Sequence, residues 1–193
     1  MSASNFGINV MQSTGWRRAV AMAALLFVVQ DAAAGAPRSD TEKAGDVLQI
    51  VIPAAGLAGT LFYESGHEGT IQFAQSFATA QLTTEVLKNL THKRRPNGAC
   101  CKSFPSGHTS AAFMGAAFIH ERYGLRYAVP AYIGAAYVGY SRIYADKHYG
   151  VDVAAGALIG VLSSFYFTDR YPGLQVAPLA MPAGGGVVIS RRW

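Results

Sequence analysis

Apolar residues along this chain are grouped into runs of helical length, separated by polar connections that are short except at 91–105. The runs are Val47–Tyr63, Thr70–Leu90, Ser106–Tyr123, Tyr127–Tyr140 and Val151–Phe167. Apolar runs of this length favour helices over strands. The sequence therefore predicts an all-α fold, a compact bundle of about five to six helices in which an N-terminal apolar run is the sixth.

The helical runs define one domain, which we expect to cover residues 46–170. A polar linker at 35–45 precedes it and a tail at 171–193 follows it. In the tail, three consecutive glycines lie between two apolar pieces. This pattern predicts a small hairpin that pairs Val176–Leu179 with Val187–Ile189.

The N-terminus has the pattern of a bacterial secretory signal at residues 1–34. Arg17 and Arg18 precede the apolar run Ala19–Val29, and small residues follow it. Cleavage after Ala34 fits this pattern, and the run is short for a membrane span of about 20 residues. The alternative is an uncleaved signal anchor that serves as a first membrane helix. Both interpretations place the protein in the bacterial cell envelope, with the chain from Pro37 onward starting outside the cytoplasm.

Composition excludes two protein classes and leaves two others open. Charged residues are 14% and hydrophobic residues 51% of the chain, which excludes a disordered protein. The two cysteines, Cys100 and Cys101, are adjacent, which excludes a disulfide scaffold. We expect them to be packed side chains, since adjacent cysteines bond each other only with strain. A soluble helical domain and a membrane domain both remain possible, and the sparse charge favours membrane association.

Basic residues are concentrated in one part of the chain. The formal net charge is +5, yet the stretch from Val86 to His120 contains no acidic residue. Its basic residues are Lys88, Lys93, Arg94, Arg95 and Lys102. Such a stretch attracts anions, although a solvated loop or a positive-inside membrane loop has the same composition. Nucleic acid is not an expected partner, because no nucleic-acid-binding motif accompanies the basic stretch.

Three short clusters contain residue types that suit phosphate chemistry. In the last of them, His148 and Asp152 are four residues apart and share a face if a helix begins near His148. The carboxylate could then accept a hydrogen bond from one ring nitrogen and leave the other as a nucleophile or base. In the middle cluster, Ser106 is a good N-cap for a helix whose free N–H groups suit an oxyanion. His108 lies in that first turn, where it could donate a proton.

Three cations complete the set of candidate residues. Lys88, Arg95 and Arg142 could bind phosphate oxygens, and the two guanidinium groups could each do so through two hydrogen bonds. If the N-terminal segment is the first of six helices, the loops that carry these clusters lie on the same outer side. Two histidines, three cations and a helix N-terminus describe a phosphoryl-transfer site that needs neither a metal nor another cofactor.

The clusters read Lys-x6-Arg-Pro from Lys88, Pro-Ser-Gly-His from Pro105 and Ser-Arg-x5-His-x3-Asp from Ser141. They resemble the three signatures of the type 2 phosphatidic acid phosphatase (PAP2) superfamily. That superfamily also includes bacterial class A acid phosphatases, glucose-6-phosphatase and vanadium haloperoxidases. The resemblance covers about residues 45–168 and is specific for the superfamily, but it does not distinguish the branches.

The resemblance implies a role for each matched residue. His148 would attack phosphorus and form a phosphohistidine, and Asp152 would orient it. His108 would protonate the leaving oxygen and then activate water. The expected phosphate-binding residues are Lys88, Arg95, Ser106, Gly107 and Arg142. Lys93, Arg94, His92 and Lys102 lie outside the signatures and are expected to belong to a solvated loop.

The expected function is hydrolysis of a phosphate monoester or diphosphate without a metal, on the periplasmic side. Low charge favours a phosphorylated lipid as the substrate and the inner membrane as the location. Lipid phosphatases of the family have six membrane helices, which this chain reaches only with its N-terminal segment. A cleaved signal would favour a periplasmic, nonspecific acid phosphatase acting on small phosphate esters. A vanadium-dependent haloperoxidase and a non-catalytic membrane protein are the remaining alternatives.

Overall fold

Five α-helices occur in the part of the chain that the computed structural model describes, residues 38–172, 175–181 and 184–190. They are α1 (Arg38–Phe62), α2 (Glu68–Thr91), α3 (Gly107–Tyr123), α4 (Leu125–Tyr144) and α5 (Gly150–Phe167). The predicted helical bundle is confirmed. The signal segment predicted at 1–34 lies outside the described residues.

Helix α1 begins earlier than the sequence analysis predicts. Most of the residues expected as a linker at 35–45 form its first turns, because the helix begins at Arg38. Asp40 in the first turn interacts favourably with the helix dipole. Further along the helix, Glu42 forms an ion pair with Lys147 and Asp46 forms one with Arg142. These long-range contacts hold a polar segment against the bundle.

Helix α3 lies at the centre of the bundle and contacts each of the other four helices. Small residues allow this close packing. Ala112, Ala116 and Ala117 are fully buried in the core. A Cβ atom on Gly156 or Gly160 of α5 would collide with backbone atoms at the start of α3. These two glycines therefore let the backbone of α5 pack directly against α3.

Apolar side chains also cover much of the outer surface. The exposed ones include Val47, Ile50, Leu82, Leu90, Leu158, Leu162 and Tyr166. Among the described residues, two helical segments are long and apolar enough to cross a membrane, Ser39–Phe62 and Gly150–Phe167. Length and composition alone give this result, and a core helix of a soluble protein can meet the same criteria.

Arg122, near the end of α3, forms a buried ion pair with Glu64. The Glu64 carboxylate lies 2.5 Å from Nη2 of Arg122, and both side chains are 2% exposed. The guanidinium group of Arg122 also donates to Gln72 and to the backbone oxygen of Asp169. This network ties the connection after α1 and the segment after α5 to the end of α3.

Two antiparallel strands follow the bundle. Strand β1 (Gln175–Met181) pairs with β2 (Gly184–Ser190), with Val176 opposite Ile189 and Pro178 opposite Val187. The strands lie at the two apolar pieces of the tail and are longer than predicted, and the three glycines lie within β2 and not between the strands.

Candidate active site

The three sequence clusters meet at one cavity of about 290 Å³. Lys88 comes from the last turn of α2 and Arg142 from the last turn of α4, whereas His148 lies just before α5. The lining residues are Glu42, Asp46, Lys88, Arg95, Gly107, His108, Arg142, Lys147 and His148. The cavity thus brings together six of the eight residues proposed from the sequence, and Ser106 and Asp152 lie outside its lining.

His148 is buried and held by a backbone carbonyl. Its Nδ1 lies 2.6 Å from the carbonyl oxygen of Ser103. A carbonyl can only accept, so Nδ1 carries the proton and Nε2 is the basic nitrogen of the neutral ring. Burial lowers the pKa of His148 to about 4; the Ser103 hydrogen bond opposes this shift and the Arg95 charge adds to it. The ring is therefore neutral at physiological pH.

Asp152 does not make the direct hydrogen bond to His148 that the spacing suggested. The gap from its Oδ2 to Nδ1 of His148 is 3.9 Å, too long for a hydrogen bond. The helix begins at Gly150 rather than near His148, so Asp152 occupies its third position and its Oδ2 accepts the Tyr149 N–H at 3.0 Å. The same oxygen accepts from Oγ of Ser103 at 2.6 Å. Asp152 therefore contacts the histidine through Ser103.

Lys93 belongs to this network and not to a solvated loop, contrary to the sequence-based expectation. Its Nζ lies 2.7 Å from Oδ1 of Asp152, whose side chain is fully buried. The same Nζ lies 4.5 Å from the centroid of the Tyr149 ring. A buried carboxylate needs such a partner, because an unpaired charge is costly away from water.

The three cations proposed from the sequence have different partners. Lys88 forms an ion pair with Glu85 at 3.1 Å. Arg142 is nearly buried and donates to Asp46 and to the backbone oxygen of Glu42, each at 2.7 Å. Arg95 makes no side-chain hydrogen bond with the residues that the structure describes. Its guanidinium group is therefore the cation most available to a bound anion.

Asp46 is a site residue that the sequence analysis missed. Its Oδ1 lies 2.7 Å from Nη1 of Arg142 and 3.1 Å from Nε2 of His108. An oxygen of a bound phosphate that contacted both groups would compete with this carboxylate. One signal could have revealed the residue, namely an acidic side chain next to the apolar run that begins at Val47. In the sequence analysis, Asp46 is the first residue of the domain but is given no role.

Ser106 and Gly107 lie at the start of α3, beside the site. Ser106 is the N-cap residue of α3, as expected, but its hydroxyl group makes no capping bond and lies 2.9 Å from that of Thr109. Gly107 lines the cavity, and a Cβ atom on it would lie 3.0 Å from Nζ of Lys88. Ser106 is therefore placed as a support for the helix start, whereas Gly107 leaves room for Lys88.

The two cysteines lie in the connection between α2 and α3. The sulfur atoms of Cys100 and Cys101 are paired with each other, which differs from the expectation of two packed thiols. Neither cysteine lines the cavity. Lys102, the next residue, is exposed and lies 3.7 Å from Glu85, as expected for a solvated side chain.

Comparison with known proteins identifies the family. Residues 69–173, more than half of the chain, match the family model described as the PAP2 superfamily. The chain belongs to the PAP2 superfamily. The resemblance inferred from the three motifs is thereby confirmed, and the chain is a PAP2-type phosphatase. The matched segment includes every motif residue that lines the cavity.

Two curated relatives and one solved structure are similar to this PAP2 protein. A lipid A 1-phosphatase of Porphyromonas gingivalis is 44% identical over 71 residues, 35% of this chain and only 16% of that protein. A lipid A 4'-phosphatase of Helicobacter pylori is 30% identical over 67% of this chain and 70% of that protein. The crystal structure of Aquifex aeolicus LpxE is 25% identical with a TM-score of 0.51, covering 63% of this chain and 83% of that one.

Proposed function

We propose that this PAP2 phosphatase hydrolyses a lipid phosphate monoester or diphosphate through a phosphohistidine on His148, without a metal ion. The observation that carries the proposal is the cavity, in which His108 and the neutral His148 share a lining with Lys88, Arg95 and Arg142. Fixed positive charges around a nucleophile provide the electrostatic stabilisation that phosphoryl transfer requires.

The reaction has two steps. In the first, Nε2 of His148 forms a bond to phosphorus while the bond to the leaving oxygen breaks, and His108 gives its proton to that oxygen. In the second, water attacks phosphorus, His108 takes the proton of the water, and the bond between phosphorus and Nε2 breaks. Inorganic phosphate leaves, and both histidines return to their starting protonation states. Arg95 and Arg142 would bind the equatorial oxygens throughout.

A lipid is the substrate class that the surface and the relatives support best. The exposed apolar side chains of α1, α2 and α5 suit contact with acyl chains. Both curated relatives described above are named lipid A phosphatases. We propose that α1 and α5 span the inner membrane and that the cavity, which lies where α1 and α5 begin, faces the periplasm.

The proposal is tested with purified protein in detergent and EDTA. Substrates are p-nitrophenyl phosphate, phosphatidic acid, phosphatidylglycerophosphate, lipid A and an isoprenoid diphosphate, and phosphate release is measured. We expect turnover of at least one lipid, reduced about 10⁴-fold or more by His148→Ala. His67→Ala, at an exposed histidine outside the cavity, is the matched control and should retain wild-type turnover.

Three outcomes would contradict parts of the proposal. Turnover of soluble esters with no activity on any lipid would favour the nonspecific acid phosphatase. Turnover that EDTA abolishes and a divalent ion restores would contradict the metal-free mechanism. Failure to release phosphate from any ester, together with vanadate-dependent bromide oxidation, would replace the phosphatase by a haloperoxidase.

A further inference from the structure

Ser103 belongs to none of the three motifs, yet it lies at the centre of a hydrogen-bond network that includes His148 and Asp152. Its side chain is fully buried, and each of its polar groups has a partner. Its carbonyl oxygen accepts from Nδ1 of His148 at 2.6 Å, and its hydroxyl group donates to Asp152 at 2.6 Å. Its N–H donates to the backbone oxygen of Lys93 at 2.9 Å. Three hydrogen bonds therefore hold Ser103 in place, and with it the orientation of its carbonyl group.

Lys93 stabilises the same network at two points. Its backbone oxygen holds the Ser103 N–H, and its ammonium group neutralises the Asp152 carboxylate at 2.7 Å. The ammonium group also lies over the ring of Tyr149, the residue after the nucleophile. Lys93 is absent from the cavity lining, so the contacts that it makes are with the protein and not with substrate.

We propose that Ser103 and Lys93 are positioning residues for the nucleophile, and that Asp152 acts on His148 through Ser103. The Ser103 carbonyl would fix the proton on Nδ1 and so leave Nε2 unprotonated for attack on phosphorus. The Asp152 carboxylate, neutralised by Lys93, would fix the Ser103 hydroxyl group and with it the carbonyl. The inference rests on the proposed phosphohistidine function, but its effect on the histidine proton can be measured in the resting protein.

Asp152→Asn should have a smaller effect in this arrangement than in a protein where the aspartate bonds the histidine directly. In a direct pair, an amide in place of the carboxylate can reverse the ring tautomer, and the loss of activity is about 10⁴-fold. Here the backbone carbonyl remains in place, so His148 should keep its proton on Nδ1. We expect a smaller loss, about 10- to 100-fold in kcat, which is typical of groups that orient a reacting residue.

The first measurement is the ¹⁵N NMR spectrum of the histidine rings at neutral pH, with His148 assigned by its absence in His148→Gln. We expect a protonated Nδ1 and an unprotonated Nε2 for His148, in the wild type and in Asp152→Asn alike. A proton on Nε2 in either protein would overturn the inference. Because no substrate is present, this readout does not depend on the phosphatase function.

The second measurement is the kinetics of Ser103→Ala and Lys93→Met on whichever substrate the wild type hydrolyses best. Each should lower kcat about 10- to 100-fold while KM changes less than about three-fold. Lys102→Met, in the same connection but exposed, should match the wild type and serves as the control. Because Lys93 and Ser103 both contact Asp152 and belong to one network, the double variant should lose less than the product of the single losses.

Folding is checked separately in these variants by competitive inhibition with inorganic phosphate, which requires an intact cavity. Inhibition constants close to that of the wild type would show that only the nucleophile is disturbed. Lys93→Arg, which keeps the charge, should recover most of the kcat lost in Lys93→Met. An unchanged kcat in Ser103→Ala, or an increase in KM alone in Lys93→Met, would overturn the inference. A wild type that hydrolyses no phosphate ester would instead contradict the proposed function.

Discussion

His148 should remain neutral, and therefore nucleophilic, at pH values where an ordinary histidine is charged. Its ring is buried beside the cavity, and Arg95 and Lys88 add positive charge nearby. Burial and these charges disfavour the imidazolium ion, which lowers the pKa of His148 to about 4. The Ser103 carbonyl and Asp152 oppose this shift without cancelling it.

The size of the effect follows from the pKa. At pH 5, a group with a pKa of about 4 is about 90% neutral, whereas an unperturbed imidazole with a pKa of about 6.5 is about 3% neutral. The difference is about 30-fold in the fraction of competent nucleophile. Because protonation removes the nucleophile, activity is lost as pH falls, and the lowered pKa moves that loss to more acidic conditions.

The assay is an NMR pH titration of ¹⁵N-labelled histidine in detergent-solubilised protein, with His148→Gln used to assign the signal. The His148 ring should titrate well below pH 6. Arg95→Gln removes a nearby positive charge and should raise the pKa of His148, whereas Arg94→Gln, at an exposed residue outside the cavity, should leave it unchanged. Titration of the wild-type ring near pH 6.5 would refute the reasoning.

Three further substitutions test individual contacts. Asp46→Asn removes a carboxylate that competes with substrate oxygens, so inhibition by phosphate should tighten about five-fold, as expected for about 1 kcal/mol of repulsion near water; weaker inhibition would contradict this. Arg122→Met leaves Glu64 buried without its partner and should lower the free energy of unfolding by about 3–5 kcal/mol, measured by thermal unfolding in detergent. Gly160→Ala forces α5 away from α3 and should cost about 1–3 kcal/mol, whereas Gly150→Ala, with open space around it, should cost less.

The sequence predicted the helices because their signals are local. Apolar runs of helical length place most helix ends within a few residues of their observed positions. The cations and histidines of the site could be chosen because their fixed spacing matches a family pattern. The strands of the tail also lie at a local feature, its two apolar pieces, although the three glycines lie within β2 and not between the strands.

The residues that sequence reasoning missed are defined by contacts between distant segments. Asp46 reaches Arg142 across 96 positions of the chain, and Ser103 reaches Asp152 across 49. No periodicity marks these pairs, since they exist only once the helices have packed. Lys93 was missed for the same reason. Nothing in the sequence distinguishes a lysine that neutralises a buried carboxylate from any other lysine in a basic loop.

The most direct test of the central claim is to trap the covalent intermediate. The protein is mixed with a phosphate ester that it hydrolyses, denatured rapidly in base, digested, and analysed by mass spectrometry. The account predicts a base-stable, acid-labile phosphate on the peptide that contains His148, present in the wild type and absent from His148→Ala. Phosphate on another residue, or undiminished turnover by His148→Ala, would contradict it.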